Sequence, residues 1–394
     1  MDFNINPTTQ EKLEVINQFL HEEIFPMENL FLMHQWDELF PALEQARLKV
    51  KRLGLWAPHM PANAGGTFSG LVDLALIGEA LGQSPLGHYV FGCQAPDAGN
   101  AELLHLFGSD QQKEKWLKPL IAGEIRSCFA MTEPHTAGSN PTLLDSTAEL
   151  KEGMWHINGR KWFTTSADGA DFTIAMVVTD ESAQKHQRAS MIIVPLDNPG
   201  YKMIRNISVM GAEGKGYFSH AEIEFKDCKV PKENLIGEVG SGFALAQERL
   251  GPGRIQHCMR WLGIGERCIN ISKQFLNQRK ISTTQVLAQQ PLMQAQISES
   301  LADLAAARLL VLQTAWGIEQ NGFQASKNMV SLIKFHTANV VQKVVDRSLQ
   351  SLGGLGMTDD TVISFFYREE RAARIYDGAD EVHKIVAAKQ FLKT

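Results

Sequence analysis

The hydrophobic period of this chain changes twice, and these changes constrain the fold more than any single motif does. Residues 1–127 carry helical patterns interrupted by Gly/Pro-rich loops, and the helical period returns in long runs beyond Gly242. Between them lie about six short, mostly alternating segments rich in β-branched and aromatic residues, separated by turns such as Asn158-Gly159. Strands at this spacing predict a small β-barrel or sandwich.

We therefore predict an α+β fold with three domains in this chain of 394 residues. They are an N-terminal α-helical domain (1–127), a middle β-barrel domain (128–238) and a C-terminal helical bundle domain (239–394). The last should contain four long helices, because its apolar residues recur at helical spacing. Their expected ranges are 243–250, 255–278, 291–320 and 327–352.

Composition argues against several classes of protein. A formal net charge of -6 without a run of lysines and arginines argues against a nucleic-acid partner. The five cysteines lack Cys-x-x-Cys spacing and metal-ligand spacing to histidine, so we expect free thiols and no metal site. The chain has no secretory n-region and no run of about 20 apolar residues. We expect a soluble cytoplasmic protein with no membrane span.

An acidic turn near the C-terminus, Ile375-Tyr-Asp-Gly378, lies between two helical patterns. A glycine directly after an acid lets the backbone bend tightly and approach a ligand closely. Asp377 is therefore a candidate functional carboxylate. The alternative is that it only caps the helix predicted to start near Asp380.

Two other segments are dense in hydroxyl groups. Residues 129–142 end a strand and continue into a loop that can present N–H and hydroxyl donors to a flat polar ligand or a phosphate, although an ordinary proline-anchored turn also explains it. Residues 161–166 combine two aromatics with three hydroxyls, which suits a planar heterocycle; a core aromatic pair explains the aromatics equally well. Glycine-rich stretches at 237–242 and 353–356 follow no strand of a βαβ unit, which argues against a Rossmann fold.

A cluster of basic residues lies near a predicted helix start, where Arg249, Arg254 and Arg260 could bind an anion or form a solvated basic face. His257 and Cys258 are adjacent in the same segment. Neighbouring helical residues point about 100° apart, which disfavours a thiol–imidazole dyad.

Taken in order, these segments resemble the acyl-CoA dehydrogenase family, and the resemblance covers nearly the whole chain. It rests on six segments: Met131-Thr-Glu-Pro134, Ser139, Trp162-Phe-Thr-Thr165, Val230-Pro-Lys-Glu-Asn234, Gln350-Ser-Leu-Gly-Gly354 and Ile375-Tyr-Asp-Gly378. The segments around Arg254 and Asp377 are most similar to the branch of family members ten and eleven.

The resemblance implies a flavoenzyme that uses FAD to oxidise the α,β bond of an acyl-CoA thioester to a trans-2-enoyl-CoA. It also implies an electron-transferring flavoprotein as acceptor, and a homodimer or homotetramer in which a neighbouring subunit completes the FAD site. Asp377 matches the catalytic base, whose own backbone N–H helps to polarise the thioester carbonyl. Most relatives carry glutamate there. An alternative base position in the family falls on Gly253, which has no side chain, and Glu248 is the runner-up.

By the same resemblance, Ser139, Arg254 and Gly378 would contact the substrate. Further FAD contacts would come from the middle domain (Met131, Thr132, Ser139, Phe163 and Thr165), from the neighbouring subunit (Arg279, Gln290, Gln350, Gly353 and Gly354), and from Ala379 and Glu381. The chain departs from the family pattern in a loop one residue longer before Ser139, in Ile281-Ser-Thr283 for the usual Phe-Gly, and in Glu381 for a common glutamine.

Two other functions are compatible with these residues. One is an acyl-CoA oxidase-type flavoenzyme, whose reduced flavin reacts with oxygen. The other is a flavin- or CoA-binding scaffold without dehydrogenation, since a fold does not fix a function and an aspartate replaces the usual glutamate. The sequence does not define the length, branching or hydroxylation of the acyl chain.

Overall fold

The computed structural model describes residues 4–392, apart from the side chains of residues 250–252, and the chain forms two compact units. The helical unit consists of Met1–Pro58, Phe68–Phe91 and Gly253–Thr394. The sheet unit consists of His59–Thr67 and Gly92–Pro252. The N-terminal helices are thus divided between the two units.

Helices dominate the chain before the sheet. Those of the helical unit are α1 (Pro7–Phe19), α2 (Glu28–Leu32), α3 (Trp36–Arg52), α4 (Leu71–Leu81) and α5 (Gly87–Val90). Those of the sheet unit are α6 (Asp97–Phe107), α7 (Asp110–Gln112) and α8 (Lys118–Ala122). Helix α1 starts at Pro7 because the Asn6 side chain accepts the Thr8 N–H at 3.0 Å and proline fits a first helical turn.

A single eight-stranded sheet forms the centre of the sheet unit. Its strands are β1 (Ser127–Ala130), β2 (Thr147–Lys151), β3 (Met154–Thr165), β4 (Phe172–Val178), β5 (Ala189–Pro195), β6 (Tyr201–Asn206), β7 (His220–Pro231) and β8 (Leu235–Ile236). The spatial order is β6-β7-β3-β2-β4-β5-β8, and β1 adds to β4 in parallel. All six predicted segments are strands, β1 precedes the hydroxyl-rich loop as expected, and β8 was not predicted.

The apolar patterns explain where each strand lies. Every residue of β4 is buried, as its continuous apolar run requires, whereas β6 is only partly buried. The β2–β3 hairpin turns at Glu152-Gly153, both at positive φ (50° and 79°), which matches the twist of the paired strands. The sheet core contains Trp155, Ile192 and Phe225.

The C-terminal helices are α9 (Gly242–Gln278), α10 (Pro291–Asn321), α11 (Phe323–Leu352), α12 (Val362–Glu369) and α13 (Asp380–Leu392). The prediction of separate helices at 243–250 and 255–278 was wrong, because α9 is continuous. Glycine costs a helix about 1 kcal/mol and proline about 3 kcal/mol. The other turns of α9 outweigh this local preference, because they add backbone hydrogen bonds and buried side chains such as Ile255, Met259 and Leu262.

Helix α10 meets the length and composition of a membrane span, and most of its apolar stretch is not buried. It is the single such helix in the part of the chain that the structure describes, and a lone one is weak evidence. An exposed stripe of α10, formed by Leu301, Leu309 and Trp316, leaves these side chains 54%, 52% and 46% exposed. Its other side packs on α11 and α4.

The cysteines lie in the interior of the protein, where all five are buried and free. Within the described residues no group of three or more His, Cys, Asp and Glu side chains could hold a metal ion.

Candidate active site

The acidic turn lies in the helical unit, between a 3₁₀ helix (Glu370–Arg374) and α13. Asp377 has φ +52° and Gly378 has φ +98°. Aspartate is among the few non-glycine residues that adopt positive φ with some frequency. A Cβ at Gly378 would lie 2.6 Å from His383 Nε2, so the turn requires glycine at this position for both its φ and its packing.

The carboxylate of Asp377 points toward α9, where Oδ2 lies 2.9 Å from His257 Nε2. The two side chains are 22% and 21% exposed, so the pair is partly shielded from water. The Asp377 carbonyl accepts a hydrogen bond from Arg254 Nε at 3.2 Å and a second from His383 Nε2 at 3.1 Å. A helix-capping role alone does not explain the contacts of Asp377 with Arg254 and His257 on α9.

Lys334, on α11, forms hydrogen bonds with backbone carbonyls of the turn and of the segment before it. Its buried Nζ donates to the carbonyls of Gly378 at 2.6 Å and Ala373 at 2.8 Å. Burial lowers the pKa of Lys334 to about 8, although Asp377 and Asp380 oppose that shift. The turn therefore has a buried amine on its carbonyl side.

A hydrogen-bonded cluster fixes the residue before Asp377. The Tyr376 hydroxyl accepts from Arg260 at 2.7 Å and from Trp261 Nε1 at 3.0 Å, and donates to Glu370 at 3.2 Å. Arg260 also forms a bidentate ion pair with the buried Glu370 carboxylate. Burial raises the pKa of Tyr376 well above its ordinary value, and the nearby Glu370 carboxylate adds to this shift. Tyr376 therefore acts as a neutral anchor.

Burial also shifts the pKa of two groups that contact the turn. It lowers the pKa of His383 to about 4, against the hydrogen bond to the Asp377 carbonyl, so this imidazole is neutral near pH 7. Burial lowers the pKa of Arg254, and Asp377 opposes this shift. The side chain suggested as the helix cap, Asp380, is the first residue of α13 and accepts from Arg374 and Asn339, each at 2.8 Å.

A buried ion pair fastens the hydroxyl-rich loop of the sheet unit. Lys161 Nζ has no exposed surface and donates to Glu133 at 2.8 Å, to the Met131 carbonyl at 3.0 Å and to the Met176 carbonyl at 2.6 Å. Glu133 also accepts the backbone N–H groups of Asp145 and Ser146, at 2.6 and 2.9 Å. Both ends of the 131–146 loop are therefore tied to one carboxylate. Thr132 is partly buried and Ser139 is exposed along it.

A bulge in β3 presents Phe163 at the surface of the sheet unit. The β3–β7 register shifts between Lys161 and Thr164, and Phe163 has φ +49° with 45% of its surface exposed. Thr165 Oγ1 lies 2.9 Å from His220 Nδ1. Trp162 Nε1 and Thr164 Oγ1 are buried with no hydrogen-bond partner among the described residues.

The predicted partner-supplied residues gather mostly at one end of the helical unit. Leu287 N–H binds the Arg279 carbonyl at 2.8 Å, which brings Arg279 to the segment that leads into Gln290 and α10. The start of α10 lies beside the end of α11, because Ser351 Oγ donates to Gln296 at 3.1 Å. Gln350 lies at this end of α11, and Gly353 and Gly354 directly follow the helix.

Ala379 and Glu381 lie elsewhere, at the start of α13. The adjoining Asp380 contacts Asn339 in the middle of α11, about 16 Å along that helix from Gln350 at 1.5 Å per residue. The structure therefore brings Asp377, Gly378 and Arg254 together, and separates them from the Gln350 end of the unit. Glu248 is exposed on α9, and a Cβ at Gly253 would have no contact within 4 Å.

Sequence reasoning missed the two buried lysines. Lys334 follows the buried Val330 by one helical turn, and Lys161 occupies a buried position in the alternation of β3. A lysine on an apolar face is the signal that could have revealed them, since buried charges need partners. Their partners are distant in sequence and could not be read from it.

Comparisons with known proteins identify the family of this chain. Family models match residues 6–124 (acyl-CoA dehydrogenase, N-terminal domain), 128–228 (middle domain) and 240–392 (C-terminal domain). The chain is 40% identical over 346 residues to the probable acyl-CoA dehydrogenase FadE2 of Mycobacterium tuberculosis, covering 87% of this chain and 84% of that protein. The chain belongs to the acyl-CoA dehydrogenase family.

Within this family the similarity extends to members 10 and 11. The chain is 36% identical over 401 residues to mouse acyl-CoA dehydrogenase family member 10, and 37% identical over 396 residues to human family member 11. These matches cover 99% and 98% of this chain but 37% and 50% of those proteins, so the chain spans at most half of their length. Butyryl-CoA dehydrogenase from Megasphaera elsdenii superposes with a TM-score of 0.85 at 25% identity, covering 100% of both chains. The predicted fold and family are confirmed.

Proposed function

We propose that this protein catalyses the FAD-dependent α,β-dehydrogenation of an acyl-CoA thioester to a trans-2-enoyl-CoA, with Asp377 as the base. The observation that carries the proposal is the acidic turn, in which a partly shielded carboxylate is hydrogen-bonded and its backbone is held by Arg254 and His383. Such fixed geometry suits a general base. Bound FAD would supply the acceptor for the hydride that leaves the β-carbon.

Residues of this chain would remove the proton, stabilise the developing charge and bind the substrate. Asp377 would remove the α-proton, while its backbone N–H would stabilise the negative charge that develops on the thioester oxygen. Ser139, Arg254 and Gly378 are the proposed substrate contacts. Because aspartate is one methylene shorter than the glutamate of most relatives, the acyl chain must come closer to the turn than it would to glutamate.

The sheet unit offers groups that suit a flavin. The exposed Phe163 ring provides an apolar surface for a planar heterocycle, and Thr165 places a hydroxyl two residues away. The unpaired Trp162 Nε1 is a donor without an acceptor among the described residues, which is consistent with a missing polar ligand. Met131, Thr132 and Ser139 would add contacts from the anchored loop.

We propose that a second copy of the chain completes the FAD site, in a homodimer or homotetramer. Arg279, Gln290, Gln350, Gly353 and Gly354 lie at one exposed or half-exposed end of the helical unit, as residues that serve a neighbour should. Ala379 and Glu381 would contact FAD beside the turn. The exposed apolar stripe of α10 is suited to burial between copies.

Three further predictions belong to this proposal. Domain boundaries fall at 127/128 and 238/239, electrons pass to an electron-transferring flavoprotein, and the protein works in the cytoplasm. The masses of the fragments from limited proteolysis would test the domain boundaries. Reoxidation of the reduced flavin by purified electron-transferring flavoprotein would test the acceptor, and cell fractionation would test the location.

The central experiment is anaerobic bleaching of the flavin absorbance at about 450 nm by acyl-CoA thioesters of graded chain length. Asp377→Asn should abolish fast bleaching while retaining flavin, because an amide cannot accept the proton; a loss of about 10²- to 10⁴-fold is typical of a general base. Asp360→Asn, at an exposed aspartate of the same unit, is the matched control. Rapid bleaching by Asp377→Asn would exclude Asp377 as the base.

The same assay separates the other two functions. Fast peroxide formation when air is admitted after bleaching would indicate an oxidase. No bleaching with any thioester, from short to very long chains, would favour the non-dehydrogenating scaffold.

A further inference from the structure

The imidazole of His257 is held against the proposed base by its surroundings. Its ring lies 5.2 Å from the Tyr376 ring and 6.0 Å from the Trp261 ring, centroid to centroid, and stacks on the latter at 25°. Nε2 is directed at Asp377 Oδ2, 2.9 Å away. Two aromatic faces and one carboxylate therefore fix the position of this side chain.

His257 differs from the other groups that hold the turn. Arg254 and His383 contact the carbonyl of Asp377, and Lys334 contacts the carbonyl of Gly378. The contact of His257 is with the carboxylate itself, whose charge and orientation decide whether it can accept a proton.

We propose that His257 is a positioning residue for Asp377: it donates its Nε2–H to Oδ2 and holds the carboxylate in the orientation in which it takes the substrate proton. The inference rests on the proposed dehydrogenation. In that step the α-proton moves to the Asp377 carboxylate, and the electron pair of the broken C–H bond forms the new double bond. The β-hydride leaves to the flavin named above.

Other charged and titratable groups face the pair from every neighbouring element. They are His88 on α5, Arg254 on α9, Lys334 on α11, Glu370 and Tyr376 before the turn, and Asp380 and His383 on α13. Burial lowers the pKa of His88 to about 3 and of His383 to about 4, so both imidazoles stay neutral from pH 5 to 8. Burial lowers the pKa of Lys334 to about 8, which places its transition at the upper edge of that range. His257 is the histidine whose Nε2 lies 2.9 Å from the Asp377 carboxylate.

The first test is the rate of anaerobic flavin bleaching at a single pH. His257→Gln preserves a donor, so it should keep the rate within about three-fold of the wild-type rate. His257→Leu removes the donor and should lower the rate about 10- to 100-fold, as expected for a hydrogen bond to a charged group. A wild-type rate in His257→Leu, or an equal loss in both variants, would overturn the proposal.

A matched control exists in the sheet unit, where His156 Nδ1 lies 2.8 Å from Asp227 Oδ1. His156→Gln removes a histidine–aspartate pair of similar length outside the helical unit. It should leave the bleaching rate unchanged. An equal effect of His156→Gln would mean that the His257 result reflects general damage.

The second test needs no substrate and uses the intact protein with ¹⁵N-labelled histidine. A hydrogen-bonded Nε2–H signal of His257 should be visible by NMR, absent in His257→Gln and shifted or lost in Asp377→Ala. A signal that Asp377→Ala leaves unmoved would refute the pairing. If the signal behaves as expected but no thioester bleaches the flavin, the pairing stands and the proposed dehydrogenation fails.

Discussion

Replacing Lys161 by methionine gives a sharp test of how the sheet unit is held together. Methionine keeps the length of the side chain and removes its charge. Lys161 has no exposed surface, and its loss would leave Glu133, which is 3% exposed, without its cation and two carbonyls without a donor. Removing one partner of a buried ion pair typically costs about 3 to 5 kcal/mol. We expect a decrease of that size in the free energy of unfolding.

A double variant makes the same reasoning quantitative. Lys161→Met with Glu133→Gln leaves no uncompensated buried charge, so it should be more stable than Lys161→Met alone, with a coupling energy of about 2 kcal/mol. Lys118→Met is the control, because its pair with Glu114 is exposed (68% and 69%) and should contribute less than about 1 kcal/mol.

Urea unfolding followed by circular dichroism, together with retention of FAD on a desalting column, measures both effects. The single variant should also lose flavin faster, since the pair anchors the 131–146 loop. A Lys161→Met protein within 1 kcal/mol of wild type, or a double variant less stable than the single one, would refute this account of the pair.

Three further predictions concern the helical unit. Gly378→Ala should lower the unfolding free energy by about 1 to 3 kcal/mol and the bleaching rate at least ten-fold, because φ is +98° and a Cβ would meet His383 Nε2; a variant with wild-type stability in urea would contradict this. Glu370→Gln should cost about 3 to 5 kcal/mol by the same measurement, since Arg260 loses its carboxylate. Burial lowers the pKa of His88 to about 3, so between pH 6.5 and 3 the unfolded imidazole binds a proton that the folded one does not, and stability falls as pH falls. His88→Gln should flatten this loss between pH 6.5 and 4, and an unaltered slope would show that His88 does not titrate in that way.

The order of helices, strands and helices was predictable because it depends on local periodicity. The continuous apolar run of β4 and the alternation of β2 were visible in the sequence, and both are strands. The continuity of α9 through Gly251, Pro252 and Gly253 was not, because local preference was outweighed by the rest of a 37-residue helix.

The residues of the candidate site that lie together in one sequence motif were predictable. Asp377 and Gly378 form one turn, and the structure gives both of them positive φ. The groups that hold this turn come from Arg254, His257 and Lys334, more than 40 residues away on other helices. No local pattern encodes such contacts, so they required the fold.

The positive φ of Asp377 gives a second account of why this chain has the shorter acid. Aspartate and asparagine occupy left-handed backbone several-fold more readily than most side chains, and glutamate has no such preference. An Asp377→Glu replacement would therefore change two things at once, the reach of the carboxylate and the ease with which the backbone adopts φ +52°. Engineering the longer acid into this protein would require reshaping the turn as well as the space around it, so the backbone conformation of the turn and the identity of its acid depend on each other.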